Sequence, residues 1–305
     1  SRAVEWLLLG RTQYAPGARA LFSDWPDIDR VVLTGKSDKL FELLGDNNAL
    51  DISKALKAEA KASAGEQPGA PAASRPYEIG KLRVRVGHLT VVGGDGTFLG
   101  VAEAAALEGV PLFGINRGKL GFLAAYPSDD VGASLHSILS GDFRVEKRAL
   151  LEIRFADGSF ALALNDLVIK TRDVFRMGRF AVLADGARVN EYRADGLIIA
   201  SPTGTSAYNL AAGGPLVDPA ASVLVLTPIC AHTLSNRSVI FDGETELEIR
   251  SEDSALLGLS VDGRETLEAQ RRLPLVIRTA KVQLALLRPK SLTHFDVLRS
   301  KLKWS

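Results

Sequence analysis

The chain has 305 residues, enough for two domains that each bury a core of their own. Apolar residues make up 46% and charged residues 24%, the profile of a soluble globular protein. Lys plus Arg total 37 against 36 Asp plus Glu, which excludes a global field for nucleic acid or an anionic membrane, and no apolar run approaches the ~20 residues of a membrane span.

The opening "EWLLLG" is too short for a signal peptide and lacks a basic leader. Cys230 is the single cysteine, so an intrachain disulfide and a multi-thiolate zinc site are excluded. The expected location is a reducing cytoplasm, with Cys230 a small buried apolar residue within "VLVLTPICAH".

Up to about residue 148, the runs "VEWLLLG", "RVVLTG", "LTVVGG" and "VPLFGIN" alternate with helix-like stretches around 37–63 and 97–107. That alternation predicts a Rossmann-like parallel α/β sheet. Segment 60–78, rich in Ala, Gly, Pro and Ser, reads as a flexible surface loop. From about 149 the texture changes to short alternating runs, and Asp-Gly pairs stand at 157–158, 185–186, 242–243 and 262–263. Asp-Gly between alternating strands is a hairpin signal, because both central positions of the tight turn need positive φ. Residues 149–290 are therefore predicted to form an all-β sandwich domain. The last stretch, "HFDVLRSKLKW", returns to a helical period with Phe295, Leu298 and Leu302 on one face. It is expected to pack back on the first domain, so that 1–148 and 291–305 form one unit.

In "VVGGDGTFLG", Asp95 stands among Gly93, Gly94 and Gly96 where a strand turns into a helix. Ligands bind there in parallel sheets, beyond the carboxyl ends of the strands, and glycines let the backbone approach a phosphate or ribose. No Gly-Lys-Ser/Thr follows, so this is not a Walker loop, and the glycine spacing is not the dinucleotide fingerprint. Asp95 is either a helix cap or a base that takes the proton of an attacking hydroxyl. Three glycines exceed what a cap requires, and Thr97 could cap the helix by itself.

A second glycine stretch, "DGLIIASPTGTSAYNLAAGGP" at 195–215, leads from a strand into a loop of hydroxyls and amides beside Tyr208. Asn165 and Asp166, an amide beside a carboxylate, suit the paired hydroxyls of a ribose. Arg117 and Lys119 in "GINRGKLGF" could steady a polyphosphate chain, or lie on a solvated loop. His88, His136, His232 and His294 are not at metal-ligand spacing from one another.

Together, "GGDGT" at 93–97, "GINRGKLGFL" at 114–123, "LND" at 164–166, the 195–215 stretch and the tail "FDVLRSKLKW" resemble the NAD kinase family, over about residues 85 to 305. The resemblance implies that Asp95 is the base on the 2′-hydroxyl of the adenosine ribose of NAD, with Gly96 beside it. It implies that Asn165 and Asp166 hold ribose hydroxyls and that Phe122 closes the pocket. The adenine would go to the loop of Thr203, Ser206, Ala207 and Tyr208. Arg193 and Asp195 would contact the nicotinamide half, in this family often across a subunit boundary. It further implies ATP or polyphosphate as phosphoryl donor, a divalent cation such as Mg²⁺, and a homodimer or homotetramer. No nucleic acid or membrane partner is implied. In "VDGRE" the chain departs from the family, with Arg264 where Gln is frequent, and the first 80 residues match poorly. The rivals are a lipid or sphingoid-base kinase sharing "GGDGT", and a non-catalytic NAD-binding sensor.

Overall fold

The computed structural model describes residues 6–10, 31–34, 77–79, 82–84, 88–92, 94–116, 120–127, 133–134, 137–138, 141–173, 175–233, 237–251, 257–266 and 272–304. The helical stretch expected at 37–63 lies outside these residues. So do Arg117, Lys119 and most of the loop expected at 60–78. The chain divides into two compact units, Ser1–Lys147 with Leu284–Ser305, and Arg148–Gln283.

In the first unit, β1 (Trp6–Gly10), β2 (Val31–Thr34), β5 (His88–Val92) and β6 (Leu112–Asn116) pair in parallel in the order β6-β5-β1-β2. A short antiparallel pair, β3 (Tyr77–Ile79) and β4 (Leu82–Val84), stands apart from this sheet. Leu112, Phe113 and Ile115 are all fully buried, the continuous apolar run expected of a strand covered on both faces. Helix α1 (Asp95–Leu107) follows β5 directly. Its Phe98, Val101, Ala102, Ala104, Ala105 and Ala106 are buried, and alanine is the strongest helix former. β7 (Tyr126–Pro127) adds to β6 in parallel.

In the second unit one antiparallel sheet has the order β15-β14-β13-β10-β17-β18. Its strands are β10 (Asp166–Thr171), β13 (Gly196–Ala200), β14 (Val223–Ile229), β15 (Val239–Asp242), β17 (Leu257–Val261) and β18 (Arg264–Thr266). Further antiparallel ladders join β8 (Arg144–Arg154) to β9 (Phe160–Ala163), and β11 (Gly178–Ala184) to β12 (Ala187–Ala194) and to β16 (Leu247–Arg250). β16 in turn pairs with the start of β19 (Leu275–Arg288). Alternate residues Leu167/Ile169, Leu197/Ile199 and Leu224/Leu226 enter one apolar cluster with Leu151, Phe180, Val182, Ile249 and Ile277. Their in-between neighbours Val168, Ile198, Ala200 and Val225 form a second cluster on the opposite face, where Ala212 and Val217 pack. Both faces of β13 are thus covered, which is why "GLIIA" reads as an unbroken apolar run.

Two Asp-Gly pairs are tight hairpin turns. Asp185 and Gly186 have φ 49° and 78° between β11 and β12, and Asp262 and Gly263 have φ 50° and 74° between β17 and β18. At 157–158 only Gly158 is left-handed, with φ 82°. Asp242-Gly243 is no hairpin, since β15 pairs with β14 while β16 pairs with β11 and β19. Helix α3 (His294–Leu302), the last of the three described here, begins with a reciprocal cap between Thr293 and Asp296. It buries Val297 and Leu298, whereas Phe295 is 59% exposed, so the expected Phe295–Leu298–Leu302 face is rotated. Cys230 is exposed rather than buried, because it lies just past β14 in a left-handed turn, with φ 46°.

Candidate functional site

In the first unit, Asp95 is the first residue of α1, after an extended Gly94 with φ −84° and ψ 179°. No side chain caps this helix, Thr97 included; the amides of Thr97 and Phe98 bond the Gly94 carbonyl instead. Asp95 reaches sideways to the segment before β7. Its Oδ2 accepts from the Phe122 amide at 3.0 Å, and its Oδ1 from the amides of Leu123 at 3.1 Å and Ala124 at 3.2 Å. A carboxylate offers about four lone-pair positions, so these three bonds leave one on Oδ2.

Glycines make the contact possible. A Cβ on Gly121 would stand 2.4 Å from Asp95 Oδ1, and one on Gly114 would stand 2.7 Å from the Ala124 backbone. Gly94 and Gly96 differ: beyond its chain neighbours and its own helix, a Cβ on either would meet nothing within 4 Å among the described residues. Neither has positive φ, so among the described residues neither packing nor backbone geometry calls for glycine there.

The same segment is held from its carbonyl side by Arg288, 1% exposed at the end of β19. Its Nη1 donates to the carbonyls of Phe122 and Leu123, both at 3.0 Å, and its Nε lies 3.8 Å from Glu146. Peptide groups 122–124 therefore lie between a carboxylate and a guanidinium, with their dipoles aligned along that field. Sequence reasoning missed Arg288, whose partners lie about 165 positions away in the chain. Arg288→Met keeps the side-chain stem but strips both carbonyls and Glu146 of the cation. It should lower the unfolding free energy by about 3 kcal/mol, as is typical for breaking a buried charge network. A urea titration reads this as a lower midpoint at unchanged slope; an unshifted midpoint would show that Arg288 does not hold the segment.

In the second unit, Asn165 and Asp166 stand where β9 gives way to β10. Asp166 is 5% exposed; burial, then the negative charge of Asp262, push its carboxyl up to about 7. Asp262 is 8% exposed, and burial raises its proton affinity too, against the opposing pull of three backbone hydrogen bonds. Those bonds come from the amides of Leu164 at 2.8 Å, Asn165 at 2.7 Å and Asp166 at 3.2 Å.

The loop after β13 is tied to the same turn. Ser201 N donates to the Asn165 carbonyl at 2.9 Å, and Ser201 Oγ donates to the Leu164 carbonyl. Gly204 N donates to Ser201 Oγ at 3.1 Å. Residues Thr203–Ser206 form a 3₁₀ turn that leads through Ala207 into the short α2 (Tyr208–Ala211). Asn209, fully buried, fixes this segment by donating to the carbonyls of Thr205 at 3.2 Å and Pro215 at 3.0 Å and accepting from Thr227 Oγ1 at 2.7 Å. Ser206 and Ala207 are half-buried and Tyr208 is 41% exposed. Thr203 is 6% exposed, and its buried hydroxyl has no hydrogen-bond partner among the described residues.

Thus the Asn165–Asp166 turn and the start of the loop that carries Thr203, Ser206, Ala207 and Tyr208 are joined through Ser201 and Gly204. Arg193 and Asp195 are not part of that junction. Asp166 pairs with Ala200, and Lys170 with Gly196, so Asp195 stands at the far end of β10 and β13. Four residues at ~3.3 Å each put about 13 Å between the two ends. Among the described residues no group of three or more His, Cys, Asp or Glu is arranged to hold a metal ion.

The fold is that of the NAD and NADH kinases. Yeast NADH kinase, solved in complex with NADH, superposes with a TM-score of 0.73 at 20% identity, over 99% of this chain and 88% of that one. An NAD kinase from Archaeoglobus fulgidus, solved in complex with ATP, gives 0.70 at 19%, over 98% and 99%. In sequence, the model of the ATP-NAD kinase N-terminal domain matches residues 81–143, and that of the C-terminal domain matches 164–288. NAD kinase of Caldicellulosiruptor saccharolyticus is 40% identical over 228 residues, 74% of this chain and 86% of that protein. The chain belongs to the NAD kinase family.

Proposed function

We propose that the chain transfers the γ-phosphoryl group of ATP to the 2′-hydroxyl of the adenosine ribose of NAD, giving NADP. As a member of its family it is a phosphotransferase. The observation that carries the further detail is the setting of Asp95, between two glycines at which a Cβ would meet no described residue beyond its chain neighbours and its own helix. Such glycines are accounted for by a ligand that must come close to the backbone. The remaining lone pair of Oδ2 accepts the 2′-hydroxyl proton as the oxygen attacks phosphorus, while Gly96 and the half-buried Phe122 border the ribose and adenine.

In this reading Asn165 and Asp166 hold ribose hydroxyls. The adenine is received by Thr203, Ser206, Ala207 and Tyr208, where the buried Thr203 hydroxyl gains a partner. Catalysis is mainly positioning and charge stabilisation. A divalent cation such as Mg²⁺ would come with the triphosphate, since no described cluster of side chains is arranged to hold one. When bound it would neutralise charge on the transferred group.

Asp195, with Arg193 two residues before it, stands at the opposite end of β10 and β13 from Asp166, which favours their serving the nicotinamide half of NAD bound to another copy, in a homodimer or homotetramer. The second unit is read as a β-sandwich and α3 as completing the first. Cytoplasmic location fits the single cysteine; no described helix is long and apolar enough to cross a membrane.

Purified protein given NAD, Mg²⁺ and ATP should form NADP, followed with an NADP-specific dehydrogenase. NAD bound without turnover would replace this reading with a sensor. Phosphorylation of diacylglycerol or a sphingoid base in place of NAD would replace it with a lipid kinase.

A further inference from the structure

In the sequence Asp262 is half of an Asp-Gly turn signal. Its φ of 50° and the 74° of Gly263 do make the β17–β18 turn, but its side chain leaves the turn and enters the protein. There it meets three consecutive amides, of Leu164, Asn165 and Asp166, at 2.7–3.2 Å. β9 ends at Ala163 and β10 begins at Asp166, so at this junction the ladders give way and the amides need another acceptor. One carboxylate supplies it. The Asp262 amide completes the contact by donating to the Asp166 carbonyl at 3.0 Å. The carbonyls of the same turn then seat Ser201, and Ser201 seats Gly204.

We propose that Asp262 is the positioning residue for NAD: its carboxylate fixes the Leu164–Asp166 turn, and through that turn both the ribose-holding pair and the backbone seat of the 203–208 loop. This rests on the NAD kinase reading given above and assigns Asp262 no contact with substrate. A neutral amide cannot replace the carboxylate, because Asn would turn an N–H₂ donor toward one of three N–H donors.

Charge gives a second handle. Asp262 faces the buried Asp166 carboxyl and disfavours its ionisation, while Arg264 draws Asp262 toward its own ionised form. Removing the Asp262 charge should therefore let Asp166 lose its proton at lower pH.

The test compares the parent with Asp262→Asn and Asp262→Ala, using NAD and Mg·ATP. The expected result for Asp262→Asn is a KM for NAD raised tenfold or more, with the KM for ATP within twofold and the thermal transition still cooperative. The limb of the kcat/KM(NAD) pH profile near 7, whichever way it slopes, should move to lower pH. Asp262→Ala should show the same split with a larger loss. A variant with both KM values and the pH limb unmoved, and only a lower Tm, would overturn the proposal and leave Asp262 a purely structural group. If the parent forms NADP in that case, the kinase reading survives alone. If the parent forms none, calorimetry with NAD decides, and a parent that does not bind NAD removes both.

Discussion

Asp95→Asn is expected to lower kcat about 10³-fold, within the ~10²–10⁴ contributed by a well-placed general base, or about 4 kcal/mol of transition-state stabilisation. The reasoning rests on atoms. Oδ1 takes the amides of Leu123 and Ala124 and Oδ2 takes that of Phe122, which leaves one lone pair, the one proposed to meet the substrate hydroxyl. An amide group cannot accept the proton. It also turns an N–H₂ toward one of three amide donors, so one hydrogen bond to the 122–124 segment is lost as well. That second effect is modest, about 1 kcal/mol, and should appear as a Tm lower by a few degrees. The two effects separate cleanly: NAD affinity, measured by calorimetry, should change less than fivefold while turnover collapses. If turnover of Asp95→Asn stays within a few-fold of the parent, Asp95 serves only to hold the segment and the base lies elsewhere.

What could be read from the sequence was local. Asp95 stood out because its glycines are its chain neighbours, and β1, β2, β5 and β6 stood out because each is an apolar run bounded by turn residues. The Asp-Gly turns at 185–186 and 262–263 were legible for the same reason, since positive φ is a requirement of the two residues themselves. Asp242-Gly243 carries the same signal yet joins strands of different ladders, because neither residue encodes which sheet the next strand enters. Cys230 and Phe295 were misplaced by single steps: one lies a residue beyond its strand, the other on the side of its helix turned to solvent. The side-chain roles of Asp262 and Arg288 could not be read at all. Their acceptors and donors lie roughly 100 to 170 positions away, and only the assembled fold brings a carboxylate to 164–166 or a guanidinium to 122–123.

Glycines give the other large effect, through a contrast that the sequence hides. At Gly204 a Cβ would lie 1.9 Å from the Asn165 oxygen, 2.4 Å from its carbonyl carbon and 2.6 Å from its Cα, all backbone atoms. That backbone cannot retreat: Asp262 holds the Asn165 amide and Ser201 N holds its carbonyl. Gly204→Ala must therefore displace either the 165 turn or the 203–208 loop. Overpacking of this kind costs about 3 kcal/mol at the upper end of its usual range, a Tm drop of roughly 6–12 °C for a unit of this size. NAD affinity should fall more than tenfold along with it, because the displaced backbone carries the groups proposed to hold the ribose and the adenine. Gly96→Ala is the counterpart. Outside its chain neighbours and its own helix backbone, no atom of the described residues lies within 4 Å of the new Cβ, and in the first turn of α1 alanine should hold Tm steady or raise it slightly. Activity should nonetheless fall at least a hundredfold, because the methyl group would occupy the approach proposed for the ribose to Asp95. Two Gly→Ala variants, one losing stability and NAD binding together and the other losing turnover at full stability, would separate the glycine that folding requires from the glycine that a substrate requires. A Gly96→Ala protein as active as its parent would remove the main support for a ribose at Asp95.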